Sequence, residues 1–339
     1  MSTQHASQMS RRRFLGGLTL TGTAGFLGLH PGLAAAEPPP ETVKLRLAQS
    51  PSICIAPLYV AGELLQGEGF TDVQYVMMAG DLFTPALAAG EVDLALNFVG
   101  PLLIRVEAGD PLVILAGGHV GCFEVVGTDQ VQTIRDLKGR TVTVPQLGGP
   151  QHVFLSSMAA YVGLDPRTDI TWVTHPAAES IQLLAEGKVD ALLGFPPTPQ
   201  ELRAKQIGHV VVNSAVDRPW SQYFCCMVYA NREFVHKHPV ATKRALRAIL
   251  KAVDVCALAP DRTAQFLVDK GYTPSYDYAR QTMDELPYTK WREYDPEDTM
   301  RFYALRLHEV GMIKSSPQKL IAQGTEWRFL KEIKKELKG

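Results

Sequence analysis

Few residues of this 339-residue chain have the type and spacing to do chemistry. In "VPQLGGPQHVF" a strand-like run passes through Gly148 and Gly149 into a helix opened by Pro150. The first N–H groups of a helix have no partner inside it, and glycine lets a ligand approach them closely. This stretch is a candidate anion site, or else a plain strand-to-helix turn. His152, just inside the helix, can donate to a ligand oxygen or be satisfied by local backbone. In "PSICIAP", Ser52, Ile53 and Cys54 lie between a strand and a helix. No general base is set beside Cys54, so it reads as a rim contact and not as a nucleophile. The H-E-x-x-H, G-x-S-x-G, G-x-x-x-x-G-K-[ST] and C-x-x-C patterns are all missing, and no catalytic residue, cofactor or metal is expected.

The rest of the chain bounds what those residues can serve. "SRRRFLGGLTLTGTAGFLGLHPGLAAAE" joins paired arginines, Arg11 and Arg12, to an apolar run and a small-residue site at Ala34, Ala35 and Ala36. That is the pattern of a twin-arginine export signal. The run falls short of the ~20 apolar residues of a membrane span, and no cysteine follows it to carry a lipid. Residues 1–36 are expected to be removed, 37–42 to form an extended linker, and the mature chain to be released into the periplasm. The removed part carries three arginines and no acid, so the net charge of −1 becomes −4. Such a mixed, weakly acidic surface offers no footprint for nucleic acid or anionic lipid. Five cysteines, an odd number, leave at least one thiol unpaired or paired between chains.

Two stretches repeat each other: "LAAGEVDLALNFVGP" returns as "LAEGKVDALLGFPPTP", with Gly90 and Gly187 97 positions apart. Each copy reads as a helix, a glycine suited to the left-handed position that ends it, and a short apolar strand. Strands apolar on both faces belong inside parallel sheets covered by helices. Strand candidates at 43–49, 73–77, 94–98 and 112–116 form one set, and 141–145, 170–173, 191–195 and 209–212 a second. Ligands bind beyond the carboxyl ends of such strands. Asn97, Phe98, Gly194 and Phe195 are therefore expected on the rims of two α/β units that face each other. Beyond residue 230 the pattern turns helical, and "PVATKRALRAILKAVDVCALAP" places Leu246, Ile249, Leu250, Val253 and Cys256 on one face.

In order and spacing, "LAQSPSICIAPLYVAGELLQGEGF", "ALAAGEVDLALNFVGP", "IRDLKGRTVTVPQLGGPQHVFLSSMAAYVGLD" and "LLAEGKVDALLGFPP" resemble solute-binding proteins of ABC importers. The chain is most similar to their nitrate/taurine/alkanesulfonate and thiamine-pyrimidine binding family, over residues 43–330. The resemblance implies a two-lobed type II periplasmic-binding-protein fold. Each lobe is a mostly parallel sheet flanked by helices, joined by two hinge crossings, with a helical C-terminal part. Lobe one would comprise 43–120 and 228–339, and residues 121–227 the crossings and lobe two. In relatives the helix start at Gly148, Gly149, Gln151 and His152 lines the cleft; a serine common there is replaced by Gly149, which removes a hydroxyl donor. The crossings would bring Glu124 and Tyr223 near the cleft floor. Glu124 could meet a ligand cation or N–H, or neutralise a basic residue of the hinge. Cys122 and Cys225 or Cys226 would lie side by side, as a disulfide or as free buried thiols.

The function so implied is that of the periplasmic binding component of an ABC importer. It would capture a small organic molecule (a sulfonate, amino-sulfonate, carboxylate or small heteroaromatic) as a monomer and pass it to an inner-membrane permease. The alternative is an exported, metal-dependent enzyme of the same fold, similar to a thiamine-pyrimidine synthase and using Cys225, Cys226 and His152.

Overall fold

A computed structural model of the chain describes residues 37–78 and 83–337. The expected export signal lies outside them. From Pro38 onward the chain forms one unit. Its elements begin with β1 (Lys44–Gln49), α1 (Ala56–Gly67), β2 (Asp72–Met77), α2 (Phe83–Ala88), β3 (Leu94–Phe98), α3 (Val99–Glu107) and β4 (Leu112–Val120). A second series follows: β5 (Glu124–Gly127), β6 (Arg140–Val144), α4 (Pro150–Tyr161), β7 (Ile170–Thr174), α5 (Ala177–Ala185), β8 (Ala191–Gly194), α6 (Thr198–Ala204) and β9 (His209–Asn213). The chain returns through β10 (Phe224–Asn231) into α7 (Arg232–Lys237), α8 (Pro239–Leu258), α9 (Pro260–Asp269), α10 (Tyr276–Glu285), α11 (Pro296–Glu309), α12 (Pro317–Gly324) and α13 (Arg328–Glu336).

The strands make two sheets of matching design, in the orders β2-β1-β3-β10-β4 and β7-β6-β8-β5-β9. In each, four strands run one way, and the fifth, supplied by a crossing, runs against them: β10 is antiparallel to β3 and β4, and β5 to β8 and β9. The repeated phrase occupies the same place twice. α2 and α5 each stop before a glycine of positive φ, Gly90 at +72° and Gly187 at +66°, a conformation that costs glycine little. The strands that follow, β3 and β8, are the third in each order.

The crossings are bound to each other as well as to the sheets. Ser214 accepts from the Phe123 N–H (3.0 Å) through its hydroxyl and donates its own N–H to the Phe123 carbonyl (2.9 Å). Beside that contact Gly121, at φ +63°, lies so near Ala215 that a Cβ on it would stand 2.3 Å from the Ala215 Cα.

The first sheet is covered by the helical return. In α8 the residues at helical spacing, Leu246, Ile249, Leu250, Val253 and Cys256, are all fully buried, and the helix packs along α1. Glu68, at the end of α1, holds the guanidinium of Arg247 and lies 3.4 Å from the Lys251 ammonium. Residues 37–42 are irregular but docked. The Glu41 carboxylate accepts from the N–H groups of Val240 (2.9 Å) and Ala241 (2.8 Å), where α8 starts with unpaired donors.

Candidate functional site

The carboxyl ends of β1, β3, β6 and β8 converge on a cavity of about 650 Å³. The strand-end rule thus holds in both sheets at once. Of the residues singled out in the sequence, Ser52, Cys54, Asn97, Gly149, Gln151, Gly194 and Phe195 line it. Asn97 accepts the Phe98 N–H through Oδ1 at 2.7 Å, which turns its amide nitrogen into a candidate ligand donor. The rims also meet directly: the N–H of Ile53, after β1, donates to the carbonyl of Pro196, after β8, at 3.3 Å.

The other singled-out residues serve neighbouring structure. Phe98 is 1% exposed and packs against Phe123, Phe154 and Tyr303. Tyr223 stacks on Phe302 at 3.9 Å between ring centroids. Gly148 takes φ +81° and donates its N–H to His152 Nδ1 at 3.1 Å, while the imidazole meets the edge of Trp172. His152 therefore caps its own turn, and burial lowers its pKa. Glu124 pairs with Arg203 and accepts from Asn213 Nδ2 at 3.2 Å; the basic residue it neutralises belongs to α6 and not to a crossing, and Glu124 is not among the cavity-lining residues. Burial pushes its carboxyl above the usual range, with Arg203 acting against that.

Several lining residues carried no mark of function in the sequence. Phe83 and Phe123 supply aromatic walls, and Thr143 with Ser180, hydroxyls 2.9 Å apart, joins the end of β6 to α5. The strand-end rule applied to β6, and not only to the repeated strands, would have reached Thr143. Lining side chains among the described residues include no lysine or arginine, and one carboxylate, Glu201.

Below the cavity the thiols gather. Cys54, Cys122, Cys226 and His119 place their ligand atoms within 4.8 Å of one another, all buried, and Cys54, Cys122 and Cys226 also line the cavity. Cys225 Sγ lies 3.3 Å from Cys122 Sγ, and all five cysteines are free thiols. The register explains the gathering. Cys226 in β10 stands opposite His119 in β4, and a bulge at Cys225 interrupts the ladder, an irregularity that re-aims side chains. Burial works against charge here. Even so, the contacts with Cys122, Cys225 and Cys54 and the nearby imidazole hold the Cys226 pKa well below its ordinary value. The histidine that joins the cysteines is His119, and His152 stands apart from them.

A family model described as the NMT1-like family matches residues 38–268, a span that holds both sheets, both crossings and every cavity residue named above. The chain belongs to the NMT1-like family. This NMT1-like chain superposes on the periplasmic nitrate-binding protein NrtA from Synechocystis PCC 6803 with a TM-score of 0.73 at 17% identity, covering 88% of this chain and 90% of that one. The alkanesulfonate-binding protein SsuA from Xanthomonas axonopodis pv. citri, bound to MOPS, gives 0.67 at 19% identity, covering 86% and 100%. At such identities the likeness establishes the fold of periplasmic binding proteins. In sequence, the NMT1-like chain is 28% identical over 94 residues to the bicarbonate-binding protein CmpA of Synechococcus elongatus, which is 28% of this chain and 20% of that protein. It thus spans about a fifth of the curated relatives it matches.

Proposed function

We propose that this chain is the solute-binding component of an ABC importer and that it captures a small organic molecule between its two sheets. The observation that carries the reading is the cavity of about 650 Å³ at the carboxyl ends of both sets of strands, a size and place suited to one small ligand. The named relatives and structural neighbours are binding proteins for small solutes. No helix among the described residues is long and apolar enough to cross a membrane, as a released periplasmic protein requires. Residues 43–120 with 228–339, and 121–227, would be the lobes that close, and a membrane permease would receive the ligand.

The lining narrows the ligand class. Aromatic and aliphatic walls, a few amide and hydroxyl groups and one carboxylate suit an uncharged body with hydrogen-bonding edges. A sulfonate or nitrate would meet no lining lysine or arginine to offset its charge, and the one lining carboxylate, Glu201, is already paired with Lys205 at 2.6 Å. A small heteroaromatic therefore fits this lining better than a sulfonate, amino-sulfonate or carboxylate. The test is a thermal-shift screen of pyrimidines and related heteroaromatics against alkanesulfonates, carboxylates and nitrate, followed by calorimetry. A ligand at 100 times its dissociation constant should stabilise the protein by about 2.7 kcal/mol. Stabilisation by nitrate or sulfonates alone would overturn the ligand class, and none by any class would count against the binding reading.

A further inference from the structure

We propose that Cys54, Cys122, Cys226 and His119 form a metal site for a thiophilic divalent ion of the zinc type, set at the floor of the cavity where the two crossings pass. This goes beyond solute binding and does not depend on it.

The donor set has the right chemistry and nearly the right size. Three thiols and an imidazole are a soft set that suits zinc and excludes magnesium and calcium, which take oxygen ligands. A tetrahedral site with Zn–S of about 2.3 Å has ligand atoms roughly 3.8 Å apart along its edges. The four donors already lie within 4.8 Å of one another, so modest side-chain rotation closes the site.

Three independent features point the same way. His119 is fully buried, and its Nε2 has no hydrogen-bond partner. Its Nδ1 lies 3.4 Å from the Val120 carbonyl, and donation there would leave Nε2 as a free lone pair, the arrangement by which metal-bound histidines are oriented. Cys122 has φ +133°, a conformation costly for a residue with a side chain and one that persists where function over-determines it. The bulge at Cys225 lets the neighbouring Cys226 face His119. The four donors come from the loop after β1, the end of β4, the first crossing and β10. An ion there would clamp the first sheet to the crossing. Cys225, 3.3 Å from Cys122, would stand behind it as a thiol hydrogen-bond partner, and the protons displaced from the donors would pass to solvent.

Cobalt(II) is the probe. The purified protein, reduced, stripped with a chelator and desalted, is titrated anaerobically. One equivalent should produce thiolate-to-cobalt charge transfer and tetrahedral ligand-field bands, which one equivalent of zinc abolishes. Cys226→Ser and His119→Gln should weaken cobalt by more than the roughly 10–100-fold that loss of an outer partner costs. Cys256→Ser, a buried thiol outside the set, should leave the spectrum unchanged. If Cys226→Ser does not fold by circular dichroism, Cys54→Ser, in the loop after β1, carries the same test. Missing charge-transfer bands would overturn the proposal, as would bands indifferent to these substitutions. So would a Cys122–Cys225 disulfide in metal-free protein isolated without reductant. The readout is spectral and needs no cavity ligand, so it stands or falls apart from the binding reading.

Discussion

Arg203 and Glu285 form a two-oxygen ion pair, Nη2 lying 2.6 Å from Oε1 and 2.8 Å from Oε2, that ties α6 of the second sheet to α10 of the helical return. The same guanidinium also holds Glu124. The two carboxylates are not equal partners: the Glu285 side chain is 37% exposed and that of Glu124 5%. Glu285→Gln should therefore cost at most about 1 kcal/mol. Arg203→Met strands a buried carboxylate whose Oε2 already lacks a partner, and should cost about 3–5 kcal/mol. Urea unfolding of both variants measures the difference, and equal losses would refute the asymmetry.

Glu124 also sets a pH dependence. Burial raises its folded pKa above the ordinary 4.5, with Arg203 pulling it down and Glu285 adding to the rise; Asn213 is its neutral neighbour. Above 4.5 the folded chain keeps a proton that the unfolded chain has released. This group's contribution is thus full below 4.5 and lost as pH rises through the folded value. Glu124→Gln should flatten that slope in a melting-temperature series. A slope unchanged by the substitution would assign it to other groups.

Glu68 acts in the opposite sense. Burial disfavours its charge, but Arg247 and Lys251 outweigh that and hold its pKa below 4.5. Its stabilisation is present above 4.5 and disappears as pH falls through the lowered value. Glu68→Gln should cost about 3 kcal/mol at pH 7, and the gap from the parent should narrow on acidification. A gap constant with pH would mean that packing of α1 on α8, and not charge, carries the contact.

Asn97 and Gly194 test the rims. Asn97→Asp keeps the acceptor for the Phe98 N–H but exchanges the amide donor for a carboxylate charge, so the fold should hold while binding of an uncharged ligand weakens by at least the about 1–3 kcal/mol of the lost donor. Gly194 has a different constraint: an added Cβ would stand 3.0 Å from Thr198 Cγ2 and 3.2 Å from its Cβ. Gly194→Ala should thus destabilise the start of α6 by about 1–3 kcal/mol, whatever it does to the ligand. Calorimetry and unfolding curves separate the two effects. Intact binding by Asn97→Asp would remove that residue from the site.

Local pattern carried much of this architecture. The helix, glycine and strand of each repeat are written in contiguous residues, and so is the buried stripe of α8. The rim followed because a strand's end is also a sequence position. Orientation was harder to read: His152 stands at a helix start that reaches the cavity through Gly149 and Gln151, yet its ring turns back to Gly148 and Trp172. Hardest was the thiol cluster. His119 and Cys122 stand three positions apart, but Cys54 and Cys226 lie far from them in the chain, and the apolar run around His119 reads as plain strand. The resemblance placed Cys122 beside Cys225 or Cys226, but the pairing of β10 with β4 is what sets Cys226 opposite His119, and the loop after β1 adds Cys54.

That pairing also orders the birth of the molecule. β3 and β4 do not touch each other in the first sheet; β10 lies between them. The ribosome makes the entire second sheet before it makes β10, so the half of the protein that is synthesised first is the half that is completed last. Until then β3 and β4 are open edges in need of protection, and a nascent chain stalled before residue 224 would expose them to any partner able to add a strand.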